Sequence, residues 1–171
     1  MFENKTVKEL IFLIKKREIS IKELNKYYLD KINILNPKLN AIVSLKDENE
    51  ILYEAEKKDE QKDESSMLFG LPIAIKDLSD VRGLPTTYGY KGTKNYLPKK
   101  NSLFVDRLIN NGVIIMGKTN TAELGVGGHT INRLFGPTSN VYDLSKSAAG
   151  SSGGASSAVA AGMLPFADGT D

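Results

Sequence analysis

The 171-residue sequence contains no cysteine, only one histidine and no long run of apolar residues. The absence of cysteine excludes disulfide bonds and thiolate metal sites. The formal net charge of +2 is too small to indicate a nucleic acid or a membrane surface as a partner. Apolar runs such as 113–116 are far too short to span a bilayer, and residues 1–5 do not open a signal peptide. We therefore expect a cytoplasmic protein whose length allows one domain with a buried core.

Helical signals dominate the first third of the chain. Thr6 and Ser20 each stand three residues before a glutamate, as in the capping box that opens a helix. The second helix is expected to end at Pro37, because a proline disfavours helical geometry in the residue before it. Residues 41–45 predict a short strand, and residues 48–62 predict a charged surface helix.

In the rest of the chain the pattern changes to strands that alternate with helices. The apolar segment 68–75 predicts a strand, residues 102–111 predict a helix, and 113–117 predict a second, buried strand. A short helix is expected at 121–124, within a loop-rich stretch. The small residues of 147–162 predict a tightly packed helix that follows a glycine-serine loop. This alternation is typical of an α/β layered structure.

The glycine-serine loop at 150–154 allows more than one functional interpretation. Its glycines precede a helix, and the N–H groups at a helix N-terminus can hold an anion. The loop lacks the spacing and the Gly-Lys-Ser/Thr ending of known phosphate loops, however. Alternatively its serines are catalytic, which requires a neighbouring base to activate a hydroxyl. A non-enzymatic anion-binding module and a serine-dependent enzyme both stay open at this point.

Two side chains could supply that base. Lys76 directly follows the apolar segment 68–75, and burial can lower a lysine pKa by up to ~3–5 units. A neutral lysine can act as a general base. Most lysines are solvated, so this position alone also fits a surface lysine paired with Asp77. His129 lies in a glycine-rich loop, where a lone histidine is expected to be structural or to face solvent.

Successive blocks of the chain resemble those of the amidase signature family, in the same order and with similar separations. They are GLPIAIKD at 70–77, KTNTAEL at 118–124, FGPTSN at 135–140 and GSSGGA at 150–155, followed by PFADGTD at 165–171. The resemblance is sharp from about residue 68 onward and weaker over the N-terminal helices. Four ordered blocks are far more specific than any single glycine motif.

The resemblance implies a fold of the α/β class. We expect the N-terminal part of a three-layer α/β/α structure, with a mixed central sheet and N-terminal helices that wrap it. Residues 1–66 are then a helical segment packed on the core. Residues 67–171 are then the first part of the α/β domain, truncated at its C-terminal end.

The resemblance also implies a Ser–Ser–Lys triad. In this family the lysine of the Lys-Asp block is the base, and a serine that follows a cis peptide bond links it to the nucleophile. These residues correspond here to Lys76 and Ser151. Substrate binding is implied for the loop of Gly127 and Gly128, and support of Ser151 by hydrogen bonds is expected from two further side chains, Ser152 and Asp171. The nucleophilic serine of the family would lie just beyond residue 171, so we expect a fragment that has no turnover of its own.

The implied activity is hydrolysis of a small-molecule carboxylic acid amide to the acid and ammonia or an amine. This chemistry needs only proton transfer and hydrogen bonds, so no metal or organic cofactor is implied. The alternative within the family is the A subunit of a tRNA-dependent Glu/Asp amidotransferase, which is the only case that would involve nucleic acid. No membrane partner is expected, and a homodimer stays open.

Two local features refine this resemblance. The block 121–124 and the Gly-Gly-His that follows it look more like free-standing amidases than like the amidotransferase component, which favours hydrolysis. Ala149 stands where the family often has a glycine, so its methyl group could crowd the loop.

Overall fold

The structure, a computed structural model, describes residues 2–61 and 66–170. Its helices and strands, in chain order, are α1 (Val7–Lys15), α2 (Ile21–Leu39), β1 (Ile42–Leu45), α3 (Glu48–Glu60), β2 (Pro72–Lys76), α4 (Leu103–Asn110), β3 (Ile114–Thr119), β4 (Ile131–Asn132), β5 (Gly136–Pro137) and α5 (Gly153–Ala160). Short 3₁₀ helices lie at Lys91–Thr93 and Glu123–Gly125, the second close to the short helix expected at 121–124. Within the described ranges, every helix is too short or too polar to cross a bilayer.

The central sheet has three strands in the order β1-β3-β2. It is mixed, because β2 runs parallel to β3 while β1 runs antiparallel to it, and the predicted α/β class is confirmed. The parallel register pairs Ile75 with Lys118 and Lys76 with Thr119. Since successive side chains of a strand point to opposite faces, Lys118 lies on the face of Ile75 and Lys76 lies on the other face.

Helices cover both faces of this sheet. One hydrophobic cluster joins the N-terminal helices to the sheet through Ala74 and Met116, and it includes Ala158 of α5. A second cluster on the opposite face contains Ile75 and Val105 of α4. The N-terminal third also contributes β1 to the sheet. The division of the chain at residues 66 and 67 stays a prediction.

Helix boundaries follow the sequence signals with one exception. The capping boxes predicted at Thr6 and Ser20 are both formed. The predicted end of α2 at Pro37 is wrong, because the helix continues past the proline. The Asn36 side chain ties this last turn to β1: its Nδ2 donates to the carbonyl of Ile42, and its Oδ1 accepts from the N–H of Ile42, both at 2.8 Å. These bonds hold Asn36 helical against the usual effect of a following proline.

The charged helix predicted over 48–62 is α3, which begins at Glu48 and ends at Glu60. Residues 62–65 lie outside the described part of the chain.

The helix α5 packs so closely against its neighbours that its first two glycines could not be replaced by residues with side chains. A Cβ atom at Gly154 would lie 2.3 Å from the backbone nitrogen of Asn120, and one at Gly153 would lie 2.5 Å from the Thr130 hydroxyl oxygen. Real Cβ atoms do not approach so closely, so only glycine permits this packing. The packing brings Ser151, just before α5, to the end of β2 and Lys76.

Candidate active site

Lys76 is the last residue of β2, and its side chain is fully buried. Its Nζ lies 2.8 Å from the hydroxyl oxygen of Ser151, 2.7 Å from that of Ser152 and 2.6 Å from that of Thr170. None of the ion pairs in the described ranges involves Lys76. Among the described residues, the groups that contact this amine are therefore neutral hydroxyls rather than a carboxylate.

The setting of Lys76 favours its unprotonated form. Burial lowers the pKa of Lys76 from its ordinary value, because a charged amine is poorly solvated there. The negative charge of Asp168 opposes this effect and raises the pKa of Lys76. The Asp168 carboxylate is close because its Oδ1 accepts from the backbone N–H of Lys76 at 2.7 Å. Burial also raises the pKa of Asp168 itself.

Hydrogen-bond directions separate the three hydroxyls around Lys76. The Ser152 hydroxyl donates to the carbonyl of Thr170 at 3.3 Å, so toward Lys76 it acts as an acceptor. The hydroxyls of Ser151 and Thr170 have no other hydrogen-bond partner among the described residues. A neutral amine has one lone pair, which can accept a proton from either of these two hydroxyls.

Three donors fix the backbone of Ser151. The peptide bond between Gly150 and Ser151 is cis, as the resemblance implies. The Ser151 carbonyl accepts from the Ala122 N–H at 3.2 Å, from the Thr121 hydroxyl at 3.0 Å and from the Thr130 hydroxyl at 3.3 Å. The orientation of Ser151 is thus set by the loop that follows β3.

The loop of Gly127 and Gly128, for which substrate binding is expected, borders the Ser151 segment through the residue that follows it. Gly127 and Gly128 are exposed, and a Cβ at either would meet no atom within 4 Å. The loop continues into His129, whose carbonyl carbon would lie 2.8 Å from a Cβ at Gly150. The structure therefore brings open, side-chain-free backbone next to the Ser151 segment. Substrate binding by this loop stays a prediction.

The remaining sequence predictions for the site have mixed outcomes. Ser152 hydrogen-bonds Lys76 and Thr170, not Ser151 as expected. Asp171, the other expected support of Ser151, lies outside the described residues. His129 is exposed, and its Nδ1 lies 3.1 Å from the Ser147 hydroxyl, which agrees with a solvent-facing histidine.

A second buried lysine, which the sequence interpretation gave no role, lies on the other face of the sheet. The ammonium of Lys118 lies 3.6 Å from Asp77, donates to the carbonyl of Ser79 and lies 3.0 Å from the Thr86 hydroxyl. Burial lowers the pKa of Lys118, while the charge of Asp77 opposes that change. The Asp77 carboxylate also accepts from the N–H and the hydroxyl of Thr87.

Sequence reasoning missed Lys118, Thr170 and Asp168. All three lie in the family-like blocks, and Asp168 and Thr170 stand just before the segment that was expected to hold the nucleophile. Their place in those blocks was the available signal. Their partners could be identified only from the fold.

The N-terminus of α5 offers little to an anion. The N–H of Gly153 donates to the Thr130 hydroxyl at 2.7 Å, and the N–H of Gly154 donates to the Asn120 carbonyl at 3.2 Å. These two groups already have acceptors within the protein. The geometry therefore gives the anion-binding interpretation no support.

Comparison with known proteins agrees with this geometry. The family model described as Amidase matches residues 23–171. The A subunit of the glutamyl-tRNA(Gln) amidotransferase of Caldanaerobacter subterraneus subsp. tengcongensis is 42% identical over 168 residues, which are 97% of this chain and 34% of that protein. The acylamidase of Rhodococcus erythropolis is 41% identical over 166 residues, which are 95% of this chain and 35% of that protein.

Solved structures give the same result. A peptide amidase in complex with the competitive inhibitor chymostatin matches with a TM-score of 0.90 at 28% identity, over 99% of this chain and 37% of that chain. The present chain spans about a third of the length of the relatives that it matches. The match to the family model, the identities and the shared fold show that the chain belongs to the amidase signature family.

Proposed function

We propose that this chain supplies the base and the bridging hydroxyl of an amidohydrolase that acts on linear carboxylic acid amides. The observation that carries the proposal is the 2.8 Å contact between the Lys76 amine and the Ser151 hydroxyl. Burial lowers the pKa of Lys76, and no carboxylate among the described residues pairs with it. A base with a lowered pKa is suited to remove a proton near neutral pH.

The proposed reaction moves two protons along one path. The Lys76 nitrogen takes the hydroxyl proton of Ser151, while Ser151 takes the proton of the nucleophilic serine. The nucleophile then forms a bond to the amide carbonyl carbon. As the carbon–nitrogen bond breaks, Ser151 gives a proton to the leaving nitrogen and Lys76 returns a proton to Ser151. Ammonia or an amine then leaves, and an acyl ester of the nucleophilic serine remains. Water, deprotonated by the same path, cleaves the ester and releases the acid.

The nucleophile is assigned by family resemblance to a serine that follows residue 171. In this proposal the first 171 residues alone have no turnover, and activity requires a protein of family length. Gly127 and Gly128 would let the scissile amide approach the backbone beside Ser151. Ser152 would hold the Lys76 amine in place through its 2.7 Å hydrogen bond.

The test compares two lysine variants of a family-length protein that includes this chain. Lys76→Met removes the proposed base, and Lys8→Met removes an exposed lysine of α1 as a matched control. We expect Lys76→Met to lower kcat for ammonia release from simple amides by about 10²–10⁴-fold, the usual contribution of a general base. Lys8→Met should leave it unchanged. Full activity of Lys76→Met would refute the proposal.

A second candidate function is that of one component of an amidotransferase. It is favoured by the 42% identity to the A subunit of a glutamyl-tRNA(Gln) amidotransferase, which is close to the 41% identity to an acylamidase. The resemblance of the block 121–124 and of the Gly-Gly-His at 127–129 to free-standing amidases favours hydrolysis. Purified family-length protein should hydrolyse simple amides alone if it is a hydrolase. Activity only with glutamyl-tRNA(Gln) and partner proteins would establish the second candidate.

A further inference from the structure

Three hydroxyl groups among the described residues contact the Lys76 amine, and the proposed mechanism gives a role to only two of them. Ser151 supplies the bridging hydroxyl, and Ser152 holds the amine. The third hydroxyl belongs to Thr170, whose oxygen lies 2.6 Å from Nζ. A fully buried amine must satisfy its hydrogen-bonding groups within the protein, so this third contact requires an explanation.

The segment that carries Thr170 is tied to both ends of Lys76. The Asp168 carboxylate accepts from the backbone N–H of Lys76 at 2.7 Å, and two residues later the Thr170 hydroxyl meets Nζ. The backbone N–H of Thr170 donates to the Ser152 hydroxyl oxygen at 3.1 Å, and that hydroxyl donates to the Thr170 carbonyl at 3.3 Å. These contacts hold the Thr170 side chain beside the amine through the backbone of its own segment.

The available donors and acceptors assign a direction to each contact of the amine. The Ser152 hydroxyl donates to the Thr170 carbonyl, so it accepts one N–H of Lys76. A neutral amine then has one N–H and one lone pair left, which face Ser151 and Thr170. The proposed relay needs Ser151 to donate to the lone pair, so the second N–H must go to Thr170. Thr170 is exposed, and its own hydroxyl proton can therefore turn toward solvent.

We infer that Thr170 is a positioning residue of the site, whose hydroxyl oxygen accepts the second N–H of neutral Lys76 and thereby turns the lone pair of the amine toward Ser151. This inference rests on the proposed function, in which Lys76 acts as the base. Thr170 forms no bond to substrate and acts through the lysine.

The same contact acts on the charge of Lys76. When Lys76 takes the proton of Ser151, its hydrogen bond to Thr170 becomes charge-assisted, and such bonds are about twice as strong as neutral ones. Thr170 therefore favours the protonated amine, in opposition to burial, which lowers the pKa of Lys76. Removal of the Thr170 hydroxyl should lower that pKa further. If Thr170 instead donated to the lone pair, it would favour the neutral amine, and its removal would have the opposite sign.

The charged groups around Lys76 stay the same when only Thr170 is changed. In the described part of the chain, Asp168 is the group whose charge acts on Lys76. Lys118 and Asp77 form their ion pair on the opposite face of the sheet, and His129 is exposed. A change in pH dependence on substitution of Thr170 is therefore due to its hydroxyl.

The test replaces Thr170 by valine, which has nearly the same shape but no hydroxyl, and by serine, which keeps the hydroxyl as a matched control. In a family-length protein, Thr170→Val should lower kcat for ammonia release by about tenfold or more, the effect of losing one hydrogen bond to a charged group. The acidic limb of the kcat/KM profile should move to lower pH, because that limb reports the pKa of the base. Thr170→Ser should keep the limb of the unaltered protein. Thr170→Ala removes the same hydroxyl and keeps the test valid if the valine variant does not fold.

Four outcomes overturn the inference. The first is an unchanged kcat and an unchanged limb in the variants that lack the hydroxyl. The second is a lower kcat with an unmoved limb, which would make the role of Thr170 purely structural. The third is a limb that moves to higher pH, which would make Thr170 a donor to the lone pair. The fourth is a limb shift that Thr170→Ser shares.

A second readout separates the inference from the proposed function. The 15N resonance of the Lys76 amine is followed against pH in the unaltered and Thr170→Val 171-residue chains, and its midpoint should be lower in Thr170→Val. If this midpoint moves as expected but Lys76→Met retains full amidase activity, the contact holds and the proposed function fails. If Lys76→Met abolishes activity while Thr170→Val moves neither the limb nor the midpoint, the function holds and the role of Thr170 is refuted.

Discussion

The two buried lysines of the central sheet share a strand end, a degree of burial and a side-chain type, yet their surroundings differ. Lys76 lies among three hydroxyl groups, and Lys118 lies beside a carboxylate, a carbonyl and a hydroxyl. Burial favours the neutral amine in both cases, but within residues 2–61 and 66–170 only Lys118 has a carboxylate in contact. A lysine buried without a contacting carboxylate is suited to proton transfer, whereas a lysine buried with one is suited to hold charge.

The geometry of the sheet explains why two lysines at the same end of neighbouring strands have such different surroundings. β2 and β3 are neighbours, but the parallel register directs the two side chains to opposite faces of the sheet. On one face the segment before α5 brings the hydroxyls of Ser151 and Ser152 to Lys76, and on the other the loop after β2 brings Asp77 to Lys118. Substitutions on each face should therefore have distinct effects on activity, stability and pH dependence.

The largest effect concerns the hydroxyls that contact Lys76. In a family-length protein, Ser151→Ala should lower kcat by about 10²–10⁴-fold, because it removes the proposed proton relay. Ser152→Ala should lower kcat by about tenfold or less, since the Ser152 hydroxyl donates its proton to the carbonyl of Thr170 and not to Lys76. Steady-state release of ammonia measures both. Equal losses in the two variants would contradict the distinct roles given to these serines.

The second effect is on stability. Lys118→Met should lower the free energy of unfolding by about 3–5 kcal/mol, because it leaves Asp77 buried without its cation. Lys76→Met should cost less, about 1–2 kcal/mol, since it leaves unpaired hydroxyls rather than a charge. Urea denaturation followed by circular dichroism measures the difference. A larger cost for Lys76→Met would mean that the two environments have been assigned the wrong way round.

The third effect is on pH dependence. Asp168 raises the pKa of Lys76, so Asp168→Asn should lower it, while the asparagine oxygen can still accept from the Lys76 N–H. The base acts unprotonated, so activity rises as pH rises through the pKa of Lys76. The acidic limb of the kcat/KM profile should therefore move to lower pH in Asp168→Asn. Asp106→Asn, at an exposed carboxylate of α4, is the matched control and should not move it. A limb that moves to higher pH in Asp168→Asn would exclude Asp168 as the charge that acts on Lys76.

The smallest effect is expected at Ala149, where the chain departs from the glycine that the family often has. Ala149 has φ of +61°, a left-handed conformation in which a Cβ atom is unfavourable. Ala149→Gly should stabilise the chain by up to about 1 kcal/mol, because glycine adopts this conformation freely. Ala155→Gly, within α5, is a useful contrast and should destabilise the chain. Thermal unfolding of the two variants measures the contrast, and destabilisation by Ala149→Gly would show that the methyl group contributes packing.

Much of the fold could be predicted from sequence because the signals were local. Capping boxes at Thr6 and Ser20 locate two helices, and the small residues after Gly153 locate a helix that only glycine allows to pack so closely. The end of α2 could not be predicted, because the bonds between Asn36 and Ile42 that hold the last turn are tertiary. The tendency of a helix to end before a proline is weak compared with the effect of these tertiary hydrogen bonds.

Only two residues in contact at the candidate site could be predicted from the sequence. Lys76 and Ser151 were named from family-like blocks, and the structure brings them together. The roles of Asp168, Thr170 and Lys118 depend on which face of the sheet each side chain meets, and on contacts between residues far apart in the chain. The spacing of residue types along the sequence does not show these long-range contacts. For the same reason the expected bond from Ser152 to Ser151 was wrong, and its actual partner is Lys76.

The most direct test of Lys76 as the base is the titration of its amine in the unaltered 171-residue chain, followed by 15N NMR. The same chain unfolded in urea, in which the amine is solvated, provides the reference. We predict that the Lys76 amine loses its proton at a clearly lower pH in the folded chain than in the unfolded chain, because burial among hydroxyls disfavours the charged amine. A midpoint in the folded chain equal to or above that in the unfolded chain would contradict the proposal that Lys76 acts as the base.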